Sequence, residues 1–330
     1  MQFPSHVKRV LLTGGAGFIG SHVLDLLVPT GVEFTVYDNL SNGKLAYLEP
    51  HLSRPNVTFI EANILDLARL TEATRGQDLV WHLAANTDII GSHEQPSRDL
   101  NDCAIGTFNV VEAMRKTGVR DLIFASTGAV YGNICAERSV SEDAGPLLPV
   151  STYGAGKIAS EAFISSFCHV YDLRAWMYRF GNVIGARMTH GVIFDFLARL
   201  KNDPTKLVVR GDGRQEKNYF LVEECIDGML YGYSNVALDE DNPCCIFNLG
   251  TPTVTKVIDI ARIVVEETGS LASIEIEGVK KAWPGDQPRV HFEVAKLASL
   301  GWSSKLDSDQ SVLIAVRRML DKPGSQAFVR

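Results

Sequence analysis

The sequence predicts an α/β fold, a doubly wound parallel sheet with a smaller C-terminal α/β lobe. Two observations predict it. Between Val7 and about Phe180, short apolar runs alternate with amphipathic stretches, which is the pattern of successive strand–helix–strand units with right-handed crossovers. After Gly181 this alternation stops, and shorter segments rich in Gly and Pro follow. We therefore predict one domain over residues 1–182 and a second lobe over residues 183–330, with some of its segments returning to the sheet.

Each predicted element follows from its local pattern. Short apolar runs between polar loops predict strands at Val10–Thr13, Phe34–Asp38, Val57–Ile60, Leu79–Leu83, Leu122–Ser126 and Ala175–Phe180. Amphipathic stretches predict helices that begin near Phe18, Asp66, Pro96 and Ser151. In the second lobe we predict a helix, a strand and a helix at Gly191–Lys201, Leu207–Val209 and Val222–Tyr231. Clusters of Pro, Gly and acidic residues predict linkers at Glu142–Pro149, Asp239–Pro243 and Trp283–Pro288.

The composition is that of a globular protein, with 330 residues, 45% hydrophobic and 22% charged, and a formal net charge of −7. A negative net charge provides no general attraction to nucleic acid or anionic lipid. No apolar run approaches the roughly 20 residues of a membrane-spanning helix, and the first residues lack the apolar core of a signal peptide. Six cysteines without a CxxC pair indicate reduced thiols and no metal site. We expect a soluble, cytoplasmic protein that binds neither nucleic acid nor membrane.

Three glycines lie between the first predicted strand and the first predicted helix. Gly14, Gly17 and Gly20 have the GxxGxxG spacing, and Phe18 and Ile19 complete the first turn of the helix. Glycine lets the backbone approach a pyrophosphate, and the helix N-terminus supplies N–H groups and a positive dipole. This loop is predicted to bind a dinucleotide cofactor.

An acidic residue ends the second predicted strand. Asp38 follows the glycines by about 20 residues, where a carboxylate binds the ribose hydroxyls of adenosine. Its charge repels a 2′-phosphate, and the five residues that follow contain no Arg, so NAD is predicted over NADP. Asn39 is a further candidate cofactor contact. Asn63 and Ile64, after the third strand, are candidates for the adenine edge, with an ordinary polar loop as the alternative for Asn63.

Tyr153 and Lys157 are four residues apart near the start of a predicted helix, so both project from one face. They form the only Tyr-x-x-x-Lys in the chain. A phenol has a reference pKa of about 10, and making it a base near neutrality costs about 4 kcal/mol. A nearby ammonium and the cation of an oxidised nicotinamide both stabilise the phenolate. We predict that Tyr153 is the general base and that Lys157 lowers its pKa, both residues also contacting the cofactor.

Two hydroxyls end the fifth predicted strand. Ser126 and Thr127 lie at the carboxyl edge of the sheet, where doubly wound folds bind ligands. We predict that Thr127 binds the reacting oxygen and that Ser126 contacts the substrate. The alternative for both is an ordinary hydroxyl that caps the loop.

Taken together, these segments resemble the extended short-chain dehydrogenases/reductases, and within them the NAD-dependent nucleotide-sugar epimerase/dehydratase group typified by UDP-glucose 4-epimerase. The resemblance covers nearly the whole chain. The motifs that match are Thr13–Gly20, Asp38–Asn39, His82–Ala85, Thr127 with Val130–Gly132, Tyr153 with Lys157, Arg179–Val183 and Gly211–Gly213.

This resemblance implies a Rossmann-type domain over residues 1–182 that binds NAD, and a lobe over residues 183–330 that binds a nucleotide-diphosphate sugar, with a UDP-sugar favoured. It implies that Thr127, Tyr153 and Lys157 are catalytic. The cofactor contacts it implies include Leu83, Ala84 and Ala85. The substrate contacts it implies in the second lobe are Asn182, Val192, Arg210, Lys217 and Arg289.

The sequence departs from the family pattern at several substrate or cofactor positions. Lys217 replaces a phosphate-binding Arg, which keeps the charge but loses the bidentate fork. Cys103 and Asn63 replace a frequent Asn and Asp, and Trp283 replaces an Arg that often reaches the diphosphate. Arg289 or Arg210 would compensate for that last change.

The residues after Thr127 bear on the reaction. Dehydratases of this family carry Asp-Glu there, because eliminating water requires a further acid and base, and decarboxylases tend to carry Glu. Gly128 and Ala129 offer no titratable side chain. We therefore predict a C4 epimerase that oxidises the sugar transiently to a 4-keto intermediate. An NAD-dependent reductase or dehydratase of the same family is the alternative, and a non-enzymatic NAD-binding regulator is a third class that would need no Tyr base.

Two further expectations follow from the resemblance. A homodimer is expected through the helices near Pro96–Lys116 and Ser151–Tyr171, which carry extra apolar residues such as Phe108, Val111, Phe163 and Phe167. In the final lobe, the residue a few places after Gly285-Asp286 limits the room beside the C2 of the sugar. That residue is Val290, and its small side chain predicts that 2-acetamido sugars are accommodated.

Overall fold

A seven-stranded parallel sheet forms the centre of the fold. The computed structural model describes residues 1–89, 91–279 and 287–321. Trp283, Gly285 and Asp286, which enter the predictions above, lie outside the described residues.

The strands, numbered in chain order, are β1 (Arg9–Thr13), β2 (Glu33–Asp38), β3 (Val57–Glu61), β4 (Leu79–His82), β5 (Asp121–Thr127), β6 (Arg174–Phe180), β7 (Asn182–Ile184), β8 (Lys206–Val209), β9 (Glu216–Lys217), β10 (Tyr219–Leu221), β11 (Cys244–Leu249), β12 (Thr255–Lys256), β13 (Ser273–Ile276) and β14 (Arg289–Val290). The α-helices are α1 (Phe18–Leu27), α2 (Glu49–Leu52), α3 (Leu67–Thr74), α4 (Ser97–Asp99), α5 (Gly106–Thr117), α6 (Ile134–Glu137), α7 (Thr152–Tyr171), α8 (Val192–Asn202), α9 (Val222–Asn235), α10 (Val257–Thr268), α11 (Ala295–Ser299) and α12 (Ser308–Met319). A π-helical segment, Leu100–Ile105, joins α4 to α5.

The order of strands in the large sheet is β11-β6-β5-β4-β1-β2-β3. The ladders from β3 to β5 are parallel. The hydrogen bonds Ala175 N to Pro243 O and Gly181 N to Leu249 O advance together along β6 and β11, so these two strands are parallel as well. The strands β2 and β3 lie on one side of β1. The chain then returns from β3 to β4, which lies on the other side of β1. The strand order therefore reverses between β1 and β4, and the crevice outside their carboxyl ends is where such sheets bind ligands.

The predicted fold class is confirmed, and so are its six predicted strands, each within one or two residues of the observed bounds. The helix, strand and helix predicted after Gly181 correspond to α8, β8 and α9. The sequence did not predict β11. That strand follows a polar loop outside the regular alternation, and it is defined by pairing with β6, about 70 residues earlier.

The chain divides into two compact units. Unit 1 consists of Met1–Val130, Leu147–Arg179 and Ile226–Phe247, and unit 2 consists of the described residues of Tyr131–Pro146, Phe180–Cys225 and Asn248–Arg330. The segment Ile226–Phe247, which contains most of α9 and the start of β11, thus belongs to the unit of the large sheet rather than to the later lobe.

In unit 1, the helices α3, α5 and α7 pack on one face of the sheet around a continuous apolar core. Val111 and Phe167 are buried in this core, so the expectation that they belong to a dimer interface is wrong for these two residues. Each lies on the stripe of its helix that faces the sheet, where burial of apolar area stabilises the fold. Phe108 and Phe163 remain 36% and 40% exposed.

Unit 2 contains small sheets around a second apolar core built from α8, α10 and α12. One sheet has the order β12-β9-β14, with β9 antiparallel to β12 and parallel to β14. A second pairs β10 with β7 in parallel register. Of the predicted substrate contacts, Asn182 begins β7, Lys217 ends β9 and Arg289 begins β14.

The described part of the chain was searched for membrane spans and metal ligands. Every helix within it is too short or too polar to cross a bilayer. The described residues also contain no group of three or more His, Cys, Asp or Glu placed to hold a metal ion.

Candidate active site

The glycine loop between β1 and α1 requires glycine for steric reasons. Gly14 has a φ of 72°, and a Cβ there would lie 2.7 Å from the backbone nitrogen of Ala84. A Cβ on Gly20 would collide with the carbonyl oxygen of Gly14. The loop is therefore packed closely against both the end of β4 and the start of α1.

The opposite side of the same loop fits a dinucleotide. A Cβ added to Gly17 would find Gly14 O at 3.1 Å as the one described neighbour within 4 Å. Gly17 is the N-cap of α1, whose first turn contains Phe18, Ile19 and Gly20. The N–H groups of a first turn have no partner within their own helix. An open cradle with such donors and a positive dipole fits the pyrophosphate of NAD.

Asp38 ends β2 at the same edge of the sheet and is buried. Its Oδ2 accepts a hydrogen bond from Ala16 N at 2.9 Å, and its Oδ1 accepts one from Leu40 N at 2.8 Å. Burial raises its pKa, while both backbone bonds lower it. Each carboxylate oxygen can still accept a further bond, so Asp38 fits the role of a ribose ligand beside the glycine loop. Asn39, the next residue, accepts a hydrogen bond from Ser41 N through its Oδ1.

His82 locks the end of β4 to β1. Its Nδ1 lies 2.7 Å from Thr13 Oγ1, and its Nε2 lies 3.1 Å from Thr107 Oγ1. Burial, with the charge of Lys157 as a smaller cause, lowers the pKa of His82 to about 3. A neutral ring is therefore part of the fold, and it fixes the strand end from which Leu83, Ala84 and Ala85 follow, all three half-buried.

Asn63 and Ile64 follow β3 and differ in their surroundings. Asn63 is exposed, and its Oδ1 accepts a hydrogen bond from Leu65 N at 2.9 Å. Ile64 is buried in the core, and a Cβ on Gly106 would collide with its side chain. The carbonyl oxygens of Asn63 and Ile64 accept hydrogen bonds from Tyr37 Oη and Asn109 Nδ2, and the contact of both residues with an adenine stays a prediction.

Tyr153 lies in the first turn of α7. Ser151 caps this helix by accepting a hydrogen bond from Gly154 N at 3.1 Å. A Cβ on Gly154 would lie 2.8 Å from Ala129 O, so the helix start packs directly on the segment after β5. The Thr127 side chain lies close enough to that of Tyr153 to lower the pKa of the phenol. The structure thus brings together the predicted base and its predicted oxygen partner.

Burial raises the pKa of Tyr153, and the neighbouring Cys103 and Asp99 raise it further, whereas the Thr127 side chain lowers it. This direction is opposite to the one that the sequence predicts for the working base. Lys157 Nζ lies 6.0 Å from the centre of the Tyr153 ring. In the protein alone, desolvation of the phenolate outweighs what an ammonium at that distance supplies.

Lys157 is buried one turn after Tyr153. Its Nζ donates a hydrogen bond to Ala125 O at 2.8 Å and lies 4.7 Å from the centre of the Phe124 ring. Burial lowers the pKa of Lys157, and the charges of Cys103 and Glu161 raise it. An ammonium has three donors, so the bond to Ala125 leaves donors for a ribose hydroxyl.

Ser126 is buried and donates a hydrogen bond to Glu161 Oε1 at 2.5 Å. Glu161 is in turn bound by Arg179 through Nε and Nη2, at 3.0 and 2.8 Å. The Ser126 hydroxyl thus donates its hydrogen bond to Glu161. The contact of Ser126 with substrate stays a prediction. Sequence reasoning missed Glu161, although its position four residues after Lys157 and the charged Arg179 within an apolar strand were available signals.

In unit 2, Lys217 and Arg289 lie on adjacent strands. Lys217 pairs with Val290 in the ladder between β9 and β14. Arg289 Nε lies 3.5 Å from Glu216 Oε1, and the Arg289 side chain is 55% exposed. His291 Nε2 lies 3.2 Å from the same oxygen of Glu216. Arg289 therefore shares one face of this small sheet with Glu216, whereas Lys217 shares the opposite face with Val290.

The other substrate candidates of unit 2 lie on separate elements. Asn182 begins β7, and its Nδ2 donates to Asn218 O at 3.1 Å. Val192 begins α8 and packs partly buried against the second core. Arg210 follows β8 and is exposed, and its charge, after burial, is a cause that lowers the pKa of Arg199. These placements leave their roles as predictions.

The model of the NAD dependent epimerase/dehydratase family matches residues 10–250. The chain belongs to this family. The match contains the glycine loop, Asp38, Thr127, Tyr153 and Lys157. Because the family is defined by dependence on NAD, the predicted cofactor is confirmed, and the protein is an enzyme of the NAD-dependent epimerase/dehydratase class.

Proteins similar to this chain include epimerases and a dehydratase. A crystal structure of UDP-glucose 4-epimerase from Thermus thermophilus in complex with NAD has 31% identity and a TM-score of 0.82, covering 94% of this chain and 99% of that one. UDP-glucose 4-epimerase from Thermotoga maritima, solved with UDP-glucose, has 29% identity and a TM-score of 0.84, covering 95% and 99%. The dTDP-D-glucose 4,6-dehydratase of Mus musculus is 29% identical over 319 residues, which are 93% of this chain and 87% of the mouse protein.

Proposed function

We propose that this member of the NAD-dependent epimerase/dehydratase family is a nucleotide-sugar C4 epimerase, with a UDP-sugar as the favoured substrate. The observation that carries the proposal is the placement of Tyr153 beside Thr127 at the carboxyl end of β5, followed by Gly128 and Ala129. This pair supplies a base and a hydrogen-bond partner for one hydroxyl. The next two residues supply no further acid or base.

Tyr153 takes the proton of the C4 hydroxyl in the first half-reaction and returns a proton in the second. Thr127, whose side chain lies beside that of Tyr153, holds the same sugar oxygen in the orientation that proton transfer requires. Bound NAD would supply the hydride acceptor for oxidation at C4 and the hydride donor for the reduction that follows. Reduction on the opposite face of the 4-keto sugar would give the C4 epimer.

Lys157 has two functions in this proposal. Its ammonium, fixed by Ala125 O at 2.8 Å, stabilises the phenolate of Tyr153 electrostatically. Its remaining donors bind a ribose hydroxyl, which couples the position of the cofactor to that of the base. Asp38 binds the adenosine ribose, and the first turn of α1 binds the pyrophosphate.

In unit 2, Lys217 and Arg289 bind the diphosphate of the nucleotide sugar. Both are long cations on adjacent strands, on opposite faces of the small sheet, and Arg289 is exposed enough to reach an anion. A diphosphate competes with Glu216 for the guanidinium, because a charge-assisted bidentate bond to phosphate is stronger than a single 3.5 Å contact. Asn182 contacts the substrate near the same diphosphate.

Two relatives set the alternatives to be distinguished. The T. maritima protein is an epimerase solved with UDP-glucose, whereas the mouse protein is a 4,6-dehydratase of a dTDP-sugar. Elimination of water across C5 and C6 needs an acid and a base in addition to Tyr153. Gly128 and Ala129 provide neither, which favours epimerisation.

The experiment incubates purified protein with UDP-, GDP-, CDP- and dTDP-sugars and identifies products by mass and NMR. An epimerase yields a C4 epimer of unchanged mass, without net consumption of cofactor. Loss of water from the sugar would indicate a dehydratase, and stoichiometric oxidation of added NADH would indicate a reductase. Denaturing extraction of the purified protein is expected to release bound NAD(H), because the reduced cofactor must remain between half-reactions.

A further inference from the structure

A buried carboxylate beside the proposed base has no part in the mechanism above. Asp99 ends α4 and is 0% exposed. Its Oδ1 accepts a hydrogen bond from Asn86 Nδ2 at 2.8 Å, and its Oδ2 accepts one from Thr152 Oγ1 at 2.7 Å. A charge taken out of water is tolerated only when its oxygens are bonded in this way.

The two donors belong to the segments that hold the proposed cofactor and base. Asn86 follows Leu83–Ala85 directly, is buried, and also donates to Ser92 Oγ at 2.7 Å. Thr152 immediately precedes Tyr153 in the first turn of α7. The Asp99 carboxylate therefore joins the end of β4 to the start of the helix that carries the base.

Close packing fixes the backbone that carries this carboxylate. A Cβ on Gly156 would lie 2.9 Å from both Asp99 O and Cys103 Cβ. Ser160 Oγ donates to Cys103 O at 3.0 Å. The segment from Asp99 to Cys103 includes the start of the π-helical turn, a local geometry found frequently at functional sites. The first two turns of α7 thus rest directly on this segment.

We propose that Asp99 is a positioning residue for Tyr153. By holding the Thr152 hydroxyl, it fixes the first turn of α7 relative to the Leu83–Asn86 segment and so sets the place of the phenol. The inference rests on the proposed function, in which Tyr153 is the base. It extends that function to a residue that does not touch the reacting atoms.

Thr152 provides the cleaner test, because its side chain is exposed apart from this hydrogen bond. Thr152→Val removes the hydroxyl at nearly constant volume and is expected to lower kcat about 10-fold, since a small misplacement of a catalytic group is costly. The KM for the sugar and the bound NAD should stay at wild-type values, and the Tm should fall by only a few degrees, because one oxygen of Asp99 loses its donor. Thr152→Ser restores the hydroxyl and should restore kcat.

Two substitutions of Asp99 distinguish the effect of its hydrogen bonds from the effect of its charge. An Asn at position 99 can accept from Asn86 through its oxygen and donate to Thr152 through its amide. Asp99→Asn is therefore expected to keep kcat within about 3-fold of wild type, whereas Asp99→Leu, which loses both bonds, should lower it about 100-fold. Bound NAD and Tm are measured for both variants.

The outcomes distinguish the inference from the function on which it rests. Tyr153→Phe is assayed in parallel, and an active Tyr153→Phe enzyme would refute Tyr153 as the base. If Tyr153→Phe is inactive while Thr152→Val has wild-type kcat, the positioning role is refuted alone. A fall in kcat that merely follows a loss of bound NAD or of Tm also overturns it, as does Asp99→Asn with the same loss as Asp99→Leu.

Discussion

The guanidinium of Arg179 on β6 binds both carboxylate oxygens of Glu161 on α7, at 3.0 and 2.8 Å, and neither side chain is exposed to solvent by more than 7%. Glu161 lies one helical turn after Lys157, and its carboxylate also accepts a hydrogen bond from the Ser126 hydroxyl. Helix α7 is therefore tied to β5 and to β6 by one buried carboxylate. Tyr153 and Lys157 project from the same helix.

Removing one member of this pair should destabilise the fold strongly. Glu161→Ala removes the carboxylate that binds the buried Arg179 guanidinium through two hydrogen bonds, which is expected to lower the free energy of unfolding by about 3–5 kcal/mol. Asp259→Ala is the matched control, because it removes the exposed ion pair with Arg262 and should cost less than about 1 kcal/mol. Urea unfolding measures both. Equal losses in the two variants would show that the buried pair contributes no more than a surface pair.

Tyr153→Phe should abolish turnover while leaving the cofactor in place. The change deletes the phenolic hydroxyl and almost no volume, and loss of a general base lowers kcat by about 10²–10⁴-fold. Tyr171→Phe, at the exposed far end of the same helix, is the control and should keep wild-type kcat. Residual activity of Tyr153→Phe within tenfold of wild type would mean that another group moves the proton.

Local patterns account for what the sequence predicted correctly. Alternating apolar runs and amphipathic stretches marked six of the sheet strands, whereas the cofactor role of the glycine loop stays a prediction. The interactions that it missed join residues far apart in the chain. Thr152 meets Asp99 at a separation of 53 residues, and Ser126 meets Glu161 at a separation of 35. The spacing of apolar residues along the chain does not indicate which distant residues are in contact.

The direction of the pKa shift of Tyr153 could not be predicted from the sequence for a related reason. Sequence spacing places an ammonium one turn away, but it does not reveal that the phenol is buried or that Asp99 and Cys103 lie beside it. Burial depends on the packing of α7 against the end of β5. Likewise, the apolar residues of α5 and α7 did not show which of them face the sheet, because both helices are apolar on more than one side.

His82 should make the protein sensitive to acid. Its pKa is about 3 in the folded state, below the reference value of about 6.5, so the unfolded chain binds more protons between these values. Its contribution to stability is complete above about pH 6.5 and decreases as the pH falls, by about 2 kcal/mol between pH 7 and pH 5. Urea unfolding of wild type and His82→Gln at both pH values tests this. His169→Gln, on the surface of α7, is the control; an unchanged pH dependence in His82→Gln would contradict the assignment.

A homodimer through α5 and α7 is expected from the exposed aromatic pair on these helices. Phe108 and Phe163 are 36% and 40% exposed, with ring centres 5.4 Å apart, and Leu100 and Ile105 are exposed at the start of the same surface. Covering such a patch in a dimer stabilises the assembly. Phe108→Glu and Phe163→Glu should give monomers of 36.2 kDa in light scattering, whereas Leu271→Glu, at a fully exposed residue of unit 2, should leave the dimer intact. A monomeric wild-type protein at micromolar concentration would reject the interface.

The last prediction concerns the sugar at C2. Val290 is buried on β14 beside Lys217 of β9, next to the cations that we propose bind the diphosphate. A small side chain there leaves room for an acetamide, so UDP-N-acetylglucosamine should be used at least as readily as UDP-glucose. Val290→Tyr fills that room and should shift the ratio of kcat/KM toward UDP-glucose by about 10–200-fold, the worth of about 1–3 kcal/mol in a pocket. Val290→Ile, which stays β-branched and adds one methylene, is the control and should change the ratio far less. If Val290→Tyr folds and leaves the ratio unchanged, Val290 does not line the sugar pocket.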